Sequence, residues 1–545
     1  MSLTDIIKAR ITGSTVTSKV SAHATSRKLG TFDLAKAVTS KVEDGNIRLL
    51  SSDDRPADSS DAVFAAMQTR HPPAASGRTA VPDPCTLISL QVTESEVLKA
   101  IRSFPAGSSG GPDGFRPQHL LELVTCQSNG ASLLSALTGF VNMVLDGGCP
   151  ASVCPIFFGA KLIALEKKCG GYRPIAIGYT LRRLVAKCAN IYAQKKLADY
   201  FAPLQLGVAA SGGCEAAVHA TRRFLDTMAN DDVIVKLDFN NAFNTVRRDA
   251  VLNSVAEKVP EVYRFCHSAY AGSSHLQFGD HVITSAEGVQ QGDPLGPLLF
   301  CLTLQPVLSS LSSKLRIGYL DYVTLGGPMA DVENDVNVVV DSGKAIGLTL
   351  NSSKCEIISQ SIIPPGLSVS SFCQVSPSDS ILLGAPLLCG SALDAALSSR
   401  CSELATAESR LSIISAHDAL LLLKSSLSTP KLQHLLRSSP CAGHTSLTTI
   451  DDTLRRCVSR ITNCDISETQ WTQASLPVKS GGLGIRRATQ LAPSAYLAAF
   501  CATSELQARI LNASNLPMGA YENAASAVWT DLTAASALPN PSAYK

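Results

Sequence analysis

The sequence predicts an α+β protein on three observations. The run VIVKLDF, Val233 to Phe239, alternates and is rich in β-branched residues, so it reads as a strand, and AFNTVRRDAVLNSV after it reads as a helix. LRIGYL and VTLGG are two short apolar strands separated only by Asp321 and Tyr322, the spacing of a tight hairpin with a two-residue turn. Beyond Leu393 the apolar positions Leu397, Leu404, Leu411 and Ile414 recur at helical intervals, and no further strand is expected.

The elements follow in chain order. Residues 1 to about 95 are rich in Ser, Ala, Thr, Asp and Pro, with sustained periodicity only around Asp61 to Thr69, and read as a partly flexible extension. TESEVLKAIRSF opens the folded part, because Thr93 and Glu96 form a capping box ahead of Val97, Leu98 and Ile101. A Gly-rich loop, PAGSSGGPDG, leads into one apolar helical stretch from His119 to Leu145, and IFFGAKLIALEKK reads as strand.

Composition bounds the function. The chain has 545 residues and a formal charge of +2, enough length for about three or four domain-sized units. Hydrophobic residues at 45% against 17% charged exclude a wholly disordered chain. No apolar run reaches the roughly 18 uncharged residues of a membrane span, since Pro297 and Pro306 break the longest, Leu295 to Leu311. Near neutrality makes any phosphate binding a property of a local patch. The 17 cysteines lack C-x-x-C spacing and read as dispersed core thiols; Cys441, His444, Cys457 and Cys464 form a loose cluster whose spacings match no usual zinc loop. MSLTDIIKAR has no signal-peptide core, so an intracellular location, nucleus or cytoplasm, is expected.

Asp238 at a strand end and Asp321 at a hairpin tip could share divalent metal if their strands are neighbours. Mg²⁺ favours one or two carboxylates with phosphate oxygens and water, and two ions about 3.5 to 4 Å apart can serve an attacking 3′-hydroxyl and a leaving pyrophosphate. The plain alternative is that Asp238 caps the following helix and Asp321 supplies a turn residue. Spacing alone leaves both open.

Seven strings stand in order between Phe104 and about Pro440: GSSGGPDGFRP, LIALEKKCGGYRPIAIG, VKLDFNNAFNTV, GVQQGDPLGPLLF, GYLDYVTLGG, GLTLNSSKCEII and LLGAPL. In this order they resemble the reverse transcriptases of non-LTR, LINE-type retrotransposons. The resemblance implies a right-hand polymerase fold: an N-terminal extension over 1–95, fingers over 96–230, a palm with an antiparallel sheet backed by helices over 231–390, a helical thumb over 391–464 and a helical C-terminal tail over 465–545. It implies RNA template, DNA primer and dNTP as partners, no membrane, and two Mg²⁺ ions, with Mn²⁺ as the substitute.

Position by position, the resemblance makes Asp238 and Asp321 the metal-binding aspartates, with the Phe239 carbonyl as a further ligand. Phe243 falls where the family places a ring that excludes a 2′-hydroxyl, the feature that disfavours an RNA-dependent RNA polymerase. Gln291 and Gly292 match the template-and-nucleotide motif, Gly292 by letting backbone approach the ligand. Lys167 and Arg173 look like finger cations that close on the triphosphate, with Lys168 or Lys161 as substitutes for the lysine. Lys354 matches a lysine placed to protonate departing pyrophosphate. Arg182, Arg183 and Lys187, followed by Lys195 and Lys196, are the expected nucleic-acid patch. LLGAPL resembles the hairpin that grips the primer end.

One departure stands out. The family's hairpin tip carries two adjacent aspartates, and here Asp321 is followed by Tyr322. A phenol is neutral at pH 7 and a poor Mg²⁺ ligand, so the expectation is a severely weakened or inactive polymerase. The rival reading is a non-catalytic nucleic-acid-binding protein that keeps the groove. The first 95 residues are too few for an apurinic-type endonuclease, and the tail, with LPVKSGGLGIR, is short for a ribonuclease H domain. A degenerate copy of a retroelement, or a host gene derived from one, is therefore the expectation.

Overall fold

A computed structural model describes residues 57–167, 170–514 and 516–533. Lys168 and the first 56 residues of the expected extension lie outside the described residues. The strands are β1 (Ala160–Glu166), β2 (Tyr172–Gly178), β3 (Asp232–Asp238), β4 (Ser274–Phe278), β5 (His281–Ser285), β6 (Leu315–Tyr319), β7 (Tyr322–Pro328), β8 (Glu356–Ile358), β9 (Cys373–Val375), β10 (Ile381–Leu382) and β11 (Ala385–Pro386). They form a five-stranded sheet in the order β6-β7-β3-β8-β9, a four-stranded sheet in the order β2-β1-β4-β5, and the small hairpin β10-β11. The five-stranded sheet is antiparallel except between β8 and β9.

Alternation along β3 explains why this sheet can carry a site. Val233, Val235 and Leu237, with Val323 and Leu325 of β7, face the main core, where helices Thr180–Phe201, Arg248–Lys258, Gly296–Ser310 and Met329–Ala345 back the sheet. Each such side chain contributes roughly 1.5–3 kcal/mol on burial. The opposite face is apolar at one end, where Ile234, Ile317 and Ile358 are covered by helix Gly213–Asp226 and the β10-β11 hairpin. At the other end it turns polar and open. This is the palm that the sequence predicts, an α+β arrangement with the antiparallel sheet backed by helices.

The sequence-predicted elements fare unevenly. The Thr93–Glu96 capping box stands as expected, and the periodic stretch Asp61 to Thr69 is a helix. The stretch 119–145 is two helices, Pro117–Val124 and Gly130–Leu145, and the helix expected after β3 is likewise split, into Ala242–Thr245 and Arg248–Lys258. Residues 57–95 are no loose extension: Val63 and Met67 are buried against Leu162, Leu276 and Ile283, and the Ala57 N–H donates to the Ala164 carbonyl at 2.9 Å.

After β11 the described chain is helical. Helices Ser391–Leu411, Thr429–Ser438 and Thr445–Thr462 share a core with Trp471, Ile485 and Ala492, so the packing runs on past residue 464, where the thumb was expected to end. Cys441 and Cys457 lie inside that core, and His444 caps a helix by accepting from the Ser446 N–H at 3.1 Å. The tail returns to the palm through Arg222, which is 1% exposed. Its guanidinium donates to the carbonyls of Leu387 and Ser438, to Nδ1 of His219 at 3.1 Å and to the Tyr496 hydroxyl at 3.3 Å. Tyr496 in turn donates to Glu522 at 2.8 Å. No helix among the described residues is long and apolar enough to cross a membrane.

Candidate active site

The open end of the palm sheet floors a cleft of about 1380 Å³. Register fixes who meets whom. Asp238, the last residue of β3, is paired with Tyr322, the first of β7. The Asn351 N–H donates to the Asp238 carbonyl and the Asn240 N–H to the Thr349 carbonyl, each at 2.8 Å. That bonding uses the β8 side of the Asp238 backbone, so Asp238 and Tyr322 form a pair without mutual hydrogen bonds, the arrangement that brings facing side chains closest. By the same alternation the Phe239 carbonyl turns toward the hairpin side.

Asp321 occupies the β6-β7 turn, one place earlier than expected: the two turn residues are Leu320 and Asp321, since Tyr319 pairs with Tyr322. Leu320 takes a left-handed φ of 56°. Gln205, fully buried, holds it there by accepting from the Leu320 N–H at 3.0 Å, and Leu206 and Leu204 bond to Gly318 at 2.7 Å on either side. Nothing in the sequence reading pointed to Gln205, because its partners lie 115 residues away.

Both carboxylates line the cleft. Burial pushes the Asp238 carboxyl above its ordinary range, against the pull of Lys354 and Lys167. Asp321 is raised by burial and by the charge of Asp238, with Arg173 and Lys167 drawing it down. The Tyr322 phenol is raised by burial and by both aspartates, so it stays neutral. Two acids that repel each other in one half-buried pocket are a donor set suited to a hard cation, which needs only one or two carboxylates beside phosphate oxygens. Phenol in the third position offers no such charge.

The structure brings Lys167, Arg173, Gln291 and Lys354 to the same cleft. Lys167 sits at the tip of the β1-β2 hairpin, its N–H donating to the Gly171 carbonyl at 3.0 Å. Five other predicted positions are not among the lining residues and have partners within the protein. Gly292, at φ 123°, is required by the protein's own packing: a Cβ there would lie 2.2 Å from the Ala176 carbonyl. Phe243 is not among the cleft-lining residues; its ring stacks on Phe300 at 4.8 Å and 18° beside the lining residue Ala242.

Arg182 and Arg183 do not form an open patch. Arg182 is 2% exposed, paired with Asp293 at 2.8 Å and bonded to the Phe158 carbonyl at 3.1 Å. Arg183 donates to the Ser109 carbonyl at 2.7 Å and lies over the Phe104 ring. Lys187 reaches the Ser103 carbonyl and hydroxyl at 3.1 and 2.9 Å. The cations that do face the cleft include Arg70 and Lys236, neither of which was singled out by sequence. Lys236 pairs with Glu356 and donates to the Ile381 carbonyl at 2.6 Å, tying the β10-β11 hairpin to the site.

Comparison with known proteins agrees with this geometry. Residues 165–377 match the family described as reverse transcriptase (RNA-dependent DNA polymerase). The chain is 26% identical over 281 residues to the retrotransposable element SLACS 132 kDa protein of Trypanosoma brucei gambiense, covering 49% of this chain and 23% of that protein. It is 25% identical over 287 residues to the Pol polyprotein from the type-2 retrotransposable element R2DM of Drosophila melanogaster, covering 48% of this chain and 26% of that one. The matched part thus spans about a quarter of each relative. The structure of apo telomerase from Candida tropicalis aligns with a TM-score of 0.33 and 11% identity over 73% of this chain and 74% of its own. Residues 165–377 thus match the reverse transcriptase family, and about half of the chain is similar to two non-LTR retrotransposon proteins.

Proposed function

We propose that the protein is an RNA-directed DNA polymerase of retrotransposon origin whose activity is impaired by Tyr322. The observation that carries this is the meeting of Asp238 and Asp321 in one open cleft, each held above the ordinary carboxylate range. Asp238, Asp321 and the Phe239 carbonyl would hold divalent metal, Mg²⁺ or Mn²⁺. When bound, the metal supplies Lewis-acid activation of a primer 3′-hydroxyl and neutralises phosphate charge. Lys167 and Arg173 bind the triphosphate of an incoming dNTP across the cleft, and Lys354 stands where it can give a proton to departing pyrophosphate. Gln291 offers both donor and acceptor to template or nucleotide. Phe243, held rigidly by Phe300 next to Ala242, supports selection against the 2′-hydroxyl.

The second reading, an inactive nucleic-acid-binding protein derived from a retroelement, is favoured by one observation: the residue facing Asp238 across the sheet is a neutral phenol. Primer extension separates the two. Purified protein is expected to extend a DNA primer on RNA weakly, Tyr322→Asp to raise the rate at least about tenfold, worth ~1.4 kcal/mol of barrier, and Asp238→Ala to abolish it. If both substitutions leave the signal unchanged, catalysis is ruled out and the binding reading stands.

A further inference from the structure

The helix Asp61–Thr69 ends at the cleft. Its buried residues Val63 and Met67 fix it to the β1-β2-β4-β5 sheet, so the residue after the helix is placed by a packed core. That residue, Arg70, lines the same cleft as Asp238, Lys167 and Arg173. One hydrogen bond sets its backbone, and a neighbouring glycine marks where its guanidinium lies. The Asn241 side chain, three residues beyond Asp238, donates to the Arg70 carbonyl at 2.7 Å. On the other side an added Cβ at Gly171, in the turn of the β1-β2 hairpin, would lie 3.8 Å from a terminal nitrogen of the Arg70 guanidinium.

The guanidinium therefore hangs beside the tip that carries Lys167, in the cleft that the two carboxylates also line. It makes no ion pair with any described acid, whereas the neighbouring Lys236 is paired with Glu356 and buried Arg182 with Asp293. A half-buried arginine with no carboxylate partner among the described residues, in one cleft with two other cations and an acidic pair, has the chemistry of a polyphosphate seat: a planar fork that can bond two phosphate oxygens at once. Residue 70 lies outside the segment 165–377 that matches the reverse transcriptase family, so the match assigns it nothing.

We propose that Arg70, delivered by the segment before the fingers, is a third phosphate-binding cation for the incoming nucleotide, with Asn241 as its positioning residue. The inference rests on the nucleotide-binding reading above and names one more residue of that site. The side chain of Arg70 has no hydrogen bond or ion pair to lose among the described residues, and its backbone bond to Asn241 survives truncation.

Equilibrium binding of dTTP to the full chain with an RNA–DNA template–primer in Mg²⁺ is the direct test, since it reads the site even if turnover is slow. Arg70→Ala should weaken dTTP binding about ten- to a hundredfold, in the range of a lost charge-assisted phosphate contact, while template–primer affinity and the melting temperature stay unchanged. Arg70→Lys should recover part of the loss. Asn241→Gly, which keeps the left-handed backbone, should cost less than Arg70→Ala, in the same direction. Arg173→Ala is the control. If Arg173→Ala weakens dTTP binding and Arg70→Ala does not, this inference is wrong and the functional reading survives. If Arg70→Ala weakens only template–primer binding, Arg70 is a template contact and the inference is again wrong. Wild-type protein that binds no dTTP at all overturns both.

Discussion

Arg182 illustrates how a residue's sequence neighbourhood and its spatial one part company. Among Arg183, Lys187 and Lys195 it looks like one cation of a solvated strip, but Asp293, 111 positions away, closes over it together with Gln290 and the Phe158 carbonyl. Removing one partner of such a buried pair strands the other, at about 3–5 kcal/mol. Arg182→Leu is therefore expected to lower the melting temperature by about 3–4 °C in a thermal scan, whereas Lys187→Gln should change it little. Asp238 and Asp321 were legible because a strand end and a hairpin tip are local signals. Gly292 was legible as a special position, but its reason was not, since the Ala176 carbonyl belongs to another hairpin. At Phe243 the test is substrate choice: Phe243→Ala should raise NTP incorporation relative to dNTP at least about tenfold if the ring guards the sugar, and an unchanged ratio would make it a core aromatic only.

Elements declared by their own residues were read correctly. The capping box of Thr93 needs nothing from elsewhere. The β6-β7 turn moved by one place because the segment 204–207 holds Leu320 left-handed, a long-range constraint. The β4-β5 hairpin was overlooked although Gly279 and Asp280, between alternating flanks, are the expected two-residue turn; Gly279 has φ 58°. Helix Gly213–Asp226 carries a further prediction. His219 accepts from Arg222 through Nδ1 and donates from Nε2 to the Arg437 carbonyl at 3.0 Å, so the buried ring is neutral. Burial and the nearby Arg222 press its pKa down to about 3. The unfolded chain takes up this proton near pH 6.5 and the folded one only near 3, so stability is lost as pH falls through that interval, by about 1.4 kcal/mol per unit below 6.5. Denaturant titrations at pH 7 and 5 should show a smaller difference for His219→Gln than for wild type.

On the scale of the molecule, residues 57–72 belong to the body. Val63 and Met67 fill the sheet that carries Lys167 and Arg173, and Phe64 stacks on His281 at 4.3 Å. A chain shortened to begin at residue 73 is expected to lose roughly 4.5–9 kcal/mol, from three apolar side chains at ~1.5–3 kcal/mol each, visible as a lower denaturation midpoint. The order of the large parts was readable because seven motifs follow one another. The docking of the first and last segments was not, because no periodic pattern records a partner hundreds of residues away. The Arg222 junction shows what that distance entails during synthesis. The oxygen from Tyr496 is made 274 residues after the arginine it serves. Until the ribosome has delivered it, the nascent palm carries a guanidinium already among apolar neighbours but short of one acceptor, a point at which a chaperone would find the growing chain unfinished.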